Sequence, residues 1–247
     1  MVTLRVTDTA TAHEPKYYTV KRHLLELIAA AEPGTSIPTE RELAAGMGTS
    51  RTTVRQALVE LVAEGRLVRR QGSGTYVAEA KVTWPLHLAS FTEQAAANGL
   101  VASSRLLGAQ RTRADAEVAE RLGLQVGDPV HRLDRLRLAD GRPMAVETSL
   151  LSARRFPHLM RRMRTTGSLH ALLKDHYGVE LRRGQETIDT IPAAPREASL
   201  LQTDVGSPML VVKRNSFDAA GQAVEWGTTW FRGDRITLIA YLASPGT

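Results

Sequence analysis

Apolar residues recur with a helical period through the first part of the chain. Val20, Leu24, Leu27 and Ile28 share one face of a segment over residues 17–31, and Pro33-Gly34 stops it. Thr39-Glu40-Arg41-Glu42 has the Thr-x-x-Glu form of a capping box, so a second helix is predicted there, kept short by Gly46 and Gly48. Ser50 is the predicted N-cap of a third helix running to about residue 64. On it Val54, Ala57, Leu58, Leu61 and Val62 form the apolar face, while Thr52, Arg55, Gln56 and Val59 point the other way. Arg51 sits in its first turn. Two strand-like runs, 67–69 and 75–77, then flank a tip containing Gln71, Gly72 and Gly74, which predicts a β-hairpin.

Beyond this the pattern changes. Residues 79–85 are polar and end in Trp84-Pro85, a predicted linker. A helix is expected over 91–98, an extended run over 105–111, and a helix capped by Asp115 and ended by Gly123. Alternating runs at 130–138 and 143–150 are joined by Ala139-Asp140-Gly141-Arg142, a hairpin signal. Helices are predicted near 152–163 and 168–177, and strands at 186–191, 209–216, 224–231 and 237–242. The expectation is two domains: residues 15–78, mostly α with a β-hairpin wing, and residues 86–247, α+β with an antiparallel sheet. Residues 1–14 are expected to be a flexible N-terminus.

Composition narrows the chemistry. The 247 residues are 43% hydrophobic and 23% charged, ordinary for a globular protein. The absence of cysteine excludes disulfides, thiolate metal sites and cysteine nucleophiles. No apolar run reaches the ~18 residues of a membrane span, and no signal peptide is recognised, so a soluble cytoplasmic protein without membrane contact is expected. The seven histidines show no metal-ligand spacing and no Gly-x-Ser-x-Gly elbow occurs, so neither a metal, a cofactor nor catalysis is expected. The net charge of +6 does not locate a nucleic-acid surface. Residues 1–80 carry ten Lys and Arg against nine Asp and Glu, while the remainder holds 22 against 17. Placement of individual arginines must therefore decide.

Two placements stand out. Arginine, threonine and glutamine on the outer face of a helix that follows a capped helix and a glycine turn are the side chains that read base edges in a major groove. Arg135 and Arg137, two apart on a strand, leave the same face, and guanidinium groups so close repel unless an anion or acidic side chains lie between them. A solvated strand face is the alternative.

The order helix-turn-helix plus wing, with Pro-x-Glu-Arg-Glu-Leu-Ala, Ser-Arg-Thr-Thr-Val-Arg-Gln-Ala-Leu and Gly-x-Gly-Thr-Tyr-Val, resembles the winged-helix domain of the GntR family of bacterial transcription regulators. The resemblance implies DNA contacts from Arg41, Arg51, Thr52, Thr53, Arg55, Gln71 and Gly72; Gln56 joins them from its place on the outer face. It also implies a homodimer on double-stranded DNA with an inverted-repeat operator. Residues 86–242 resemble the UTRA effector domain of the HutC subgroup, which has a chorismate-lyase-like fold. The matching stretches are Ser90-Phe91-Thr92-Glu93, Arg135-Leu136-Arg137-Leu138-Ala139-Asp140-Gly141, Pro143-Met144-Ala145-Val146-Glu147-Thr148, Gly167-Ser168-Leu169, Val224-Glu225-Trp226 and Arg232-Gly233-Asp234-Arg235. The likeness is to regulators of amino-sugar use of the NagR and DasR type, which sense hexosamine phosphates. It implies a phosphate held by Thr92, Arg135, Arg137 and Ser168, and a sugar held by Glu147 and Glu225. His170 and Phe231 stand where tyrosines are usual, which removes two phenolic hydroxyls from the sugar end.

A repressor controlled by a small anionic effector, a phosphorylated sugar or amino sugar, is thus the leading expectation. A chorismate-lyase-like enzyme domain, or an effector domain that only dimerises, are the alternatives. One geometric condition attaches to the pocket. A strict two-residue Asp140-Gly141 turn would pair Arg137 with Met144 and leave Glu147 on the far face, so a three-residue turn with a glycine bulge is predicted.

Overall fold

A computed structural model describes residues 16–70, 72–78, 81–163 and 167–242. The expected flexible segment 1–14 and the wing residue Gln71 lie outside the described residues. The chain divides into two compact units, Met1–Ala80 and Lys81–Thr247.

The first unit contains α1 (Lys16–Ala29), α2 (Glu40–Gly46), α3 (Arg51–Ala63) and the antiparallel pair β1 (Leu67–Arg70) and β2 (Gly74–Val77). Local chemistry sets the helix starts. Thr39 and Glu42 form a reciprocal capping box, the Glu42 carboxylate accepting from Thr39 N at 2.8 Å. Ser50 Oγ accepts from Thr53 N at 3.1 Å and starts α3. Buried Val20 and Leu24 of α1 meet Leu43 and Ala44 of α2, Val54, Ala57, Leu58 and Leu61 of α3, and Leu67 and Val77 of the hairpin. One apolar cluster therefore fixes how α3 and the wing are presented. At the wing tip Gly72 (φ 70°) and Gly74 (φ 127°) occupy backbone regions that side chains disfavour.

The second unit opens with β3 (Val82–Pro85) and α4 (Phe91–Ala97). There follow β4 (Ala102–Arg113), α5 (Ala116–Leu122), β5 (Pro129–Ala139) and β6 (Arg142–Ser152). After α6 (Leu159–Met163) and α7 (Leu169–Tyr177) come β7 (Arg183–Pro192), α8 (Pro195–Leu201), β8 (Pro208–Phe217), β9 (Ala223–Arg232) and β10 (Ile236–Ile239). Six strands form an antiparallel sheet in the order β4-β5-β6-β9-β8-β7, and β10 pairs in parallel with β3.

Several elements differ from expectation. Residues 82–85, read as linker, are a strand paired in parallel with Ile236–Ile239, and Trp84 on it is buried against Phe91 and Phe231, with ring centroids 5.0 and 5.5 Å away. The helix expected near 152–163 is confined to Leu159–Met163, since β6 continues through Ser152 and turns precede the helix. Helix α8 was not foreseen; its N-cap Ala194 supplies no side-chain hydrogen bond.

The sheet also contains a repeat. Ala114, Ala119, Leu122, Val126, Gly127 and Pro129 recur 79 residues later as Ala193, Ala198, Leu201, Val205, Gly206 and Pro208. Their turns repeat in detail: Ala114 N and Ala193 N each donate, at 2.8 Å, to the carbonyls of Asp128 and Ser207. Ladder irregularities occur at Arg137/Leu138 and again at Ser216/Phe217. The unit thus folds one β-α-β-β motif twice, with the halves meeting where Thr148 pairs with Thr228.

The β5–β6 hairpin corrects the predicted turn. Asp140 (φ 48°) and Gly141 (φ 74°) make a two-residue turn that pairs Ala139 with Arg142. The register slips later instead: Leu138 pairs with Pro143 but Arg137 with Ala145, so Met144 is the extra residue. Pro143 has no N–H for the ladder, and the slip falls beside it. Glu147 consequently faces Arg135 directly.

Candidate functional site

In the first unit Arg41 is exposed on α2, and Arg51, Thr52, Arg55 and Gln56 are exposed on α3. Thr53 is half-buried, and its hydroxyl lies 2.8 Å from the capping Ser50 Oγ, so it is engaged at the helix start. Gly72 is exposed at the wing tip. Glu40, half-buried at the start of α2, links the elements. It accepts from Arg55 Nε at 3.1 Å and Nη2 at 2.8 Å, and from Arg69 Nη2 of the wing strand at 3.4 Å. Hydrogen bonding from Arg55 holds the Glu40 carboxyl below the usual range, against the opposing effect of burial and with help from the charges of Arg55, Arg69 and Arg51.

In the second unit Arg135, Arg137, Glu147, Ser168, His170, Glu225 and Phe231 line one cavity of about 90 Å³. Strands β5, β6 and β9 bring five of them to one face of the sheet, and the start of α7 supplies Ser168 and His170. Thr92 is the exception. It lines a neighbouring cavity of about 390 Å³ that shares Ser90, Ser168 and His170 with the first. The reason is helical: Phe91 lies under the Arg137 guanidinium, 4.5 Å from ring centroid to carbon, and the next residue is turned away by about 100°.

Charge dominates this cavity. Arg135 and Arg137 are 3% and 2% exposed. Arg135 Nη2 donates to Glu147 Oε1 at 2.5 Å and approaches Ser149 Oγ at 3.5 Å. Arg137 Nε lies 3.4 Å from Glu147 Oε2 without hydrogen-bond alignment. Four buried donors, Nε and Nη1 of each arginine, have no hydrogen-bond partner among the described residues. Buried charged donors left in this way are costly unless an acceptor meets them. Burial, reinforced by the neighbouring Arg135, lowers the Arg137 pKa to about 10, against the pull of Glu147 and Glu225; the group stays cationic at neutral pH.

The carboxylates are held ionised. Burial opposes the charge on Glu147, but Arg135 and Arg137 outweigh it and lower its pKa. For Glu225 burial is likewise overcome, by the hydrogen bond and charge of His170, by Ser149 and by Arg135, to a pKa of about 2. His170 Nε2 stands 3.5 Å from Glu225 Oε2. Phe231 offers only an apolar edge, packed on Trp84.

Sequence reasoning missed Arg214, Glu186, Ser149 and Gln94. Arg214 Nε donates to Glu186 at 2.5 Å and Nη1 to the Ala89 carbonyl at 3.2 Å, at the edge of the same cavity. The repeat was the available signal, for Arg214 stands 79 residues after Arg135.

A winged helix followed by an α+β sheet with a buried, charged pocket defines a DNA-binding transcription regulator with a small-molecule-binding domain. Residues 16–77 match the bacterial regulatory proteins of the gntR family and residues 97–237 match the UTRA domain. The chain belongs to the GntR family, in its HutC subgroup with a UTRA domain. It is 38% identical over 227 residues to the transcriptional repressor PhnF of Mycolicibacterium smegmatis, covering 92% of each chain. It is 34% identical over 231 residues to the repressor NagR of Bacillus subtilis, covering 92% of this chain and 95% of that one. The crystal structure of PhnF from Mycobacterium smegmatis superposes with a TM-score of 0.64 at 37% identity, covering 92% of this chain and all of that one.

Proposed function

We propose that the protein is a repressor whose operator binding is controlled by a small anionic metabolite held between Arg135 and Arg137. The four buried guanidinium donors without a hydrogen bond among the described residues carry this reading. Paired forks of this kind suit the oxygens of a phosphate or carboxylate. Glu147, Glu225 and His170 offer acceptors and a donor beside them, which fits a polyhydroxyl or amino group, so a phosphorylated sugar or amino sugar is the effector class proposed. Ser168 completes the anion end, and Thr92 belongs to an adjoining extension of the site.

On this reading residues 15–78 bind DNA and residues 86–247 bind effector and dimerise. Arg41, Arg51, Thr52, Arg55, Gln56 and the wing tip at Gln71 and Gly72 meet the DNA, while Thr53 contributes through the helix cap. Membership of the family supports reading the protein as a homodimer that binds an inverted repeat in the cytoplasm. Relatives named as repressors support regulation over catalysis.

A thermal-shift panel of phosphorylated sugars, with inorganic phosphate as control, tests the effector class. A binder raises the melting temperature by mass action. No shift with any anionic compound, phosphate included, would remove the basis of the proposal.

A further inference from the structure

The DNA-facing side of the first unit contains a carboxylate where electrostatics alone would forbid one. Duplex DNA repels negative charge, and phosphate contacts reward every cation left uncompensated. Glu40 nevertheless spends its charge on two arginines, taking Nε and Nη2 of Arg55 from α3 and Nη2 of Arg69 from β1. Its side chain is 21% exposed, against 59% for Arg55 and 41% for Arg69. The acid is therefore the inner partner, and the guanidinium groups project past it. A planar guanidinium gripped through Nε and one Nη has its remaining edge aimed by the carboxylate. Free arginines would instead sample many rotamers, and ordering them on DNA costs free energy.

We propose that Glu40 is a positioning residue for sequence reading: it aims Arg55, and the wing through Arg69, so that specific binding gains while non-specific binding loses. This rests on the reading of α3 as the DNA-contacting helix. The two effects have opposite signs, and that separates positioning from charge. Deleting the carboxylate frees two cations for phosphates, which favours any duplex. It also unlocks Arg55, which penalises only the duplex whose bases Arg55 must meet in one geometry.

The test uses the full chain, a duplex enriched from a random pool by the wild-type protein, and a random-sequence duplex of the same length. Glu40→Gln should weaken the enriched duplex by about tenfold, the scale of one misaligned base contact, while tightening the random duplex several-fold. Glu40→Asp keeps the charge on a shorter arm, so it should weaken the enriched duplex and leave the random one unchanged. A variant that had failed to fold would lose both, which the random duplex reports. If Glu40→Gln binds the enriched duplex as well as or better than wild type, or weakens both equally while keeping the wild-type circular dichroism spectrum and melting temperature, the positioning role is refuted. Arg55→Ala serves as the separate control. If it leaves the enriched duplex unaffected, the DNA-reading role of α3 fails instead.

Discussion

Arg135 and Glu147 face one another across β5 and β6 and are joined at 2.5 Å, because the ladder slips by one residue at Met144. Without that slip the carboxylate would leave the opposite face of the sheet. The pocket therefore depends on a local irregularity in the strand as much as on the charged residues themselves.

Replacing Glu147 with Gln should be costly. It leaves Arg135 and Arg137 buried without their shared counter-charge, a loss on the order of 3 kcal/mol. Phosphate or sulfate in the buffer should restore part of it by taking the place of the carboxylate between the arginines. Urea denaturation with and without phosphate measures both effects; equal destabilisation in either buffer would speak against an anion reaching these groups.

Acid should unfold the second unit through Glu225. Its folded pKa of about 2 lies below the ordinary 4.5, so its contribution is complete above that ordinary value and is lost as pH falls from about 4.5 towards about 2. Glu225→Gln should flatten the stability profile in this window, by about 3 kcal/mol for a depression of this size. A profile unchanged between those values would mean that His170 does not hold the carboxylate ionised.

Gly233 supplies a test of packing alone. A Cβ there would stand 2.7 Å from the Pro208 carbonyl oxygen, a backbone atom that cannot move aside cheaply. Gly233→Ala should destabilise the protein by about 1–3 kcal/mol. A neutral result in thermal denaturation would show that the β8–β9 end relaxes freely.

Arg214 should matter to the effector and not to DNA. It ties Ala89, just before the cap of α4, to Glu186 on β7 and so holds one wall of the cavity. Arg214→Gln should reduce effector-induced stabilisation severalfold and leave operator affinity without effector within about twofold, since its hydrogen bonds to Glu186 and Ala89 lie within the second unit. Loss of operator affinity on its own would contradict this division.

What was legible in the chain was mostly local. Thr39, Ser50 and Asp115 announce helix starts because a cap needs only a side chain and an amide three residues on, and each makes that bond. The Arg135–Arg137 pair was legible from strand alternation. What escaped depends on distant partners. The strand at Val82–Pro85 exists because Ile236–Ile239 pairs with it in parallel, a relationship no local pattern encodes. The bulge was foreseen in effect but misplaced, because a Gly in a turn and a Pro in a strand can each shift a register and only the paired strand decides. Thr92 was assigned with its neighbours, yet one step along a helix turns a side chain out of the cavity that Phe91 borders.

The decisive measurement is operator binding while a pocket ligand is titrated in. Any phosphorylated sugar found to stabilise the protein should lower its affinity for the enriched duplex at least about tenfold, the range typical of coupling between sites. The same compound should have no effect on an Arg137→Gln variant that still binds that duplex. Operator affinity unchanged with the wild-type pocket saturated would contradict the claim that the buried arginines control operator binding.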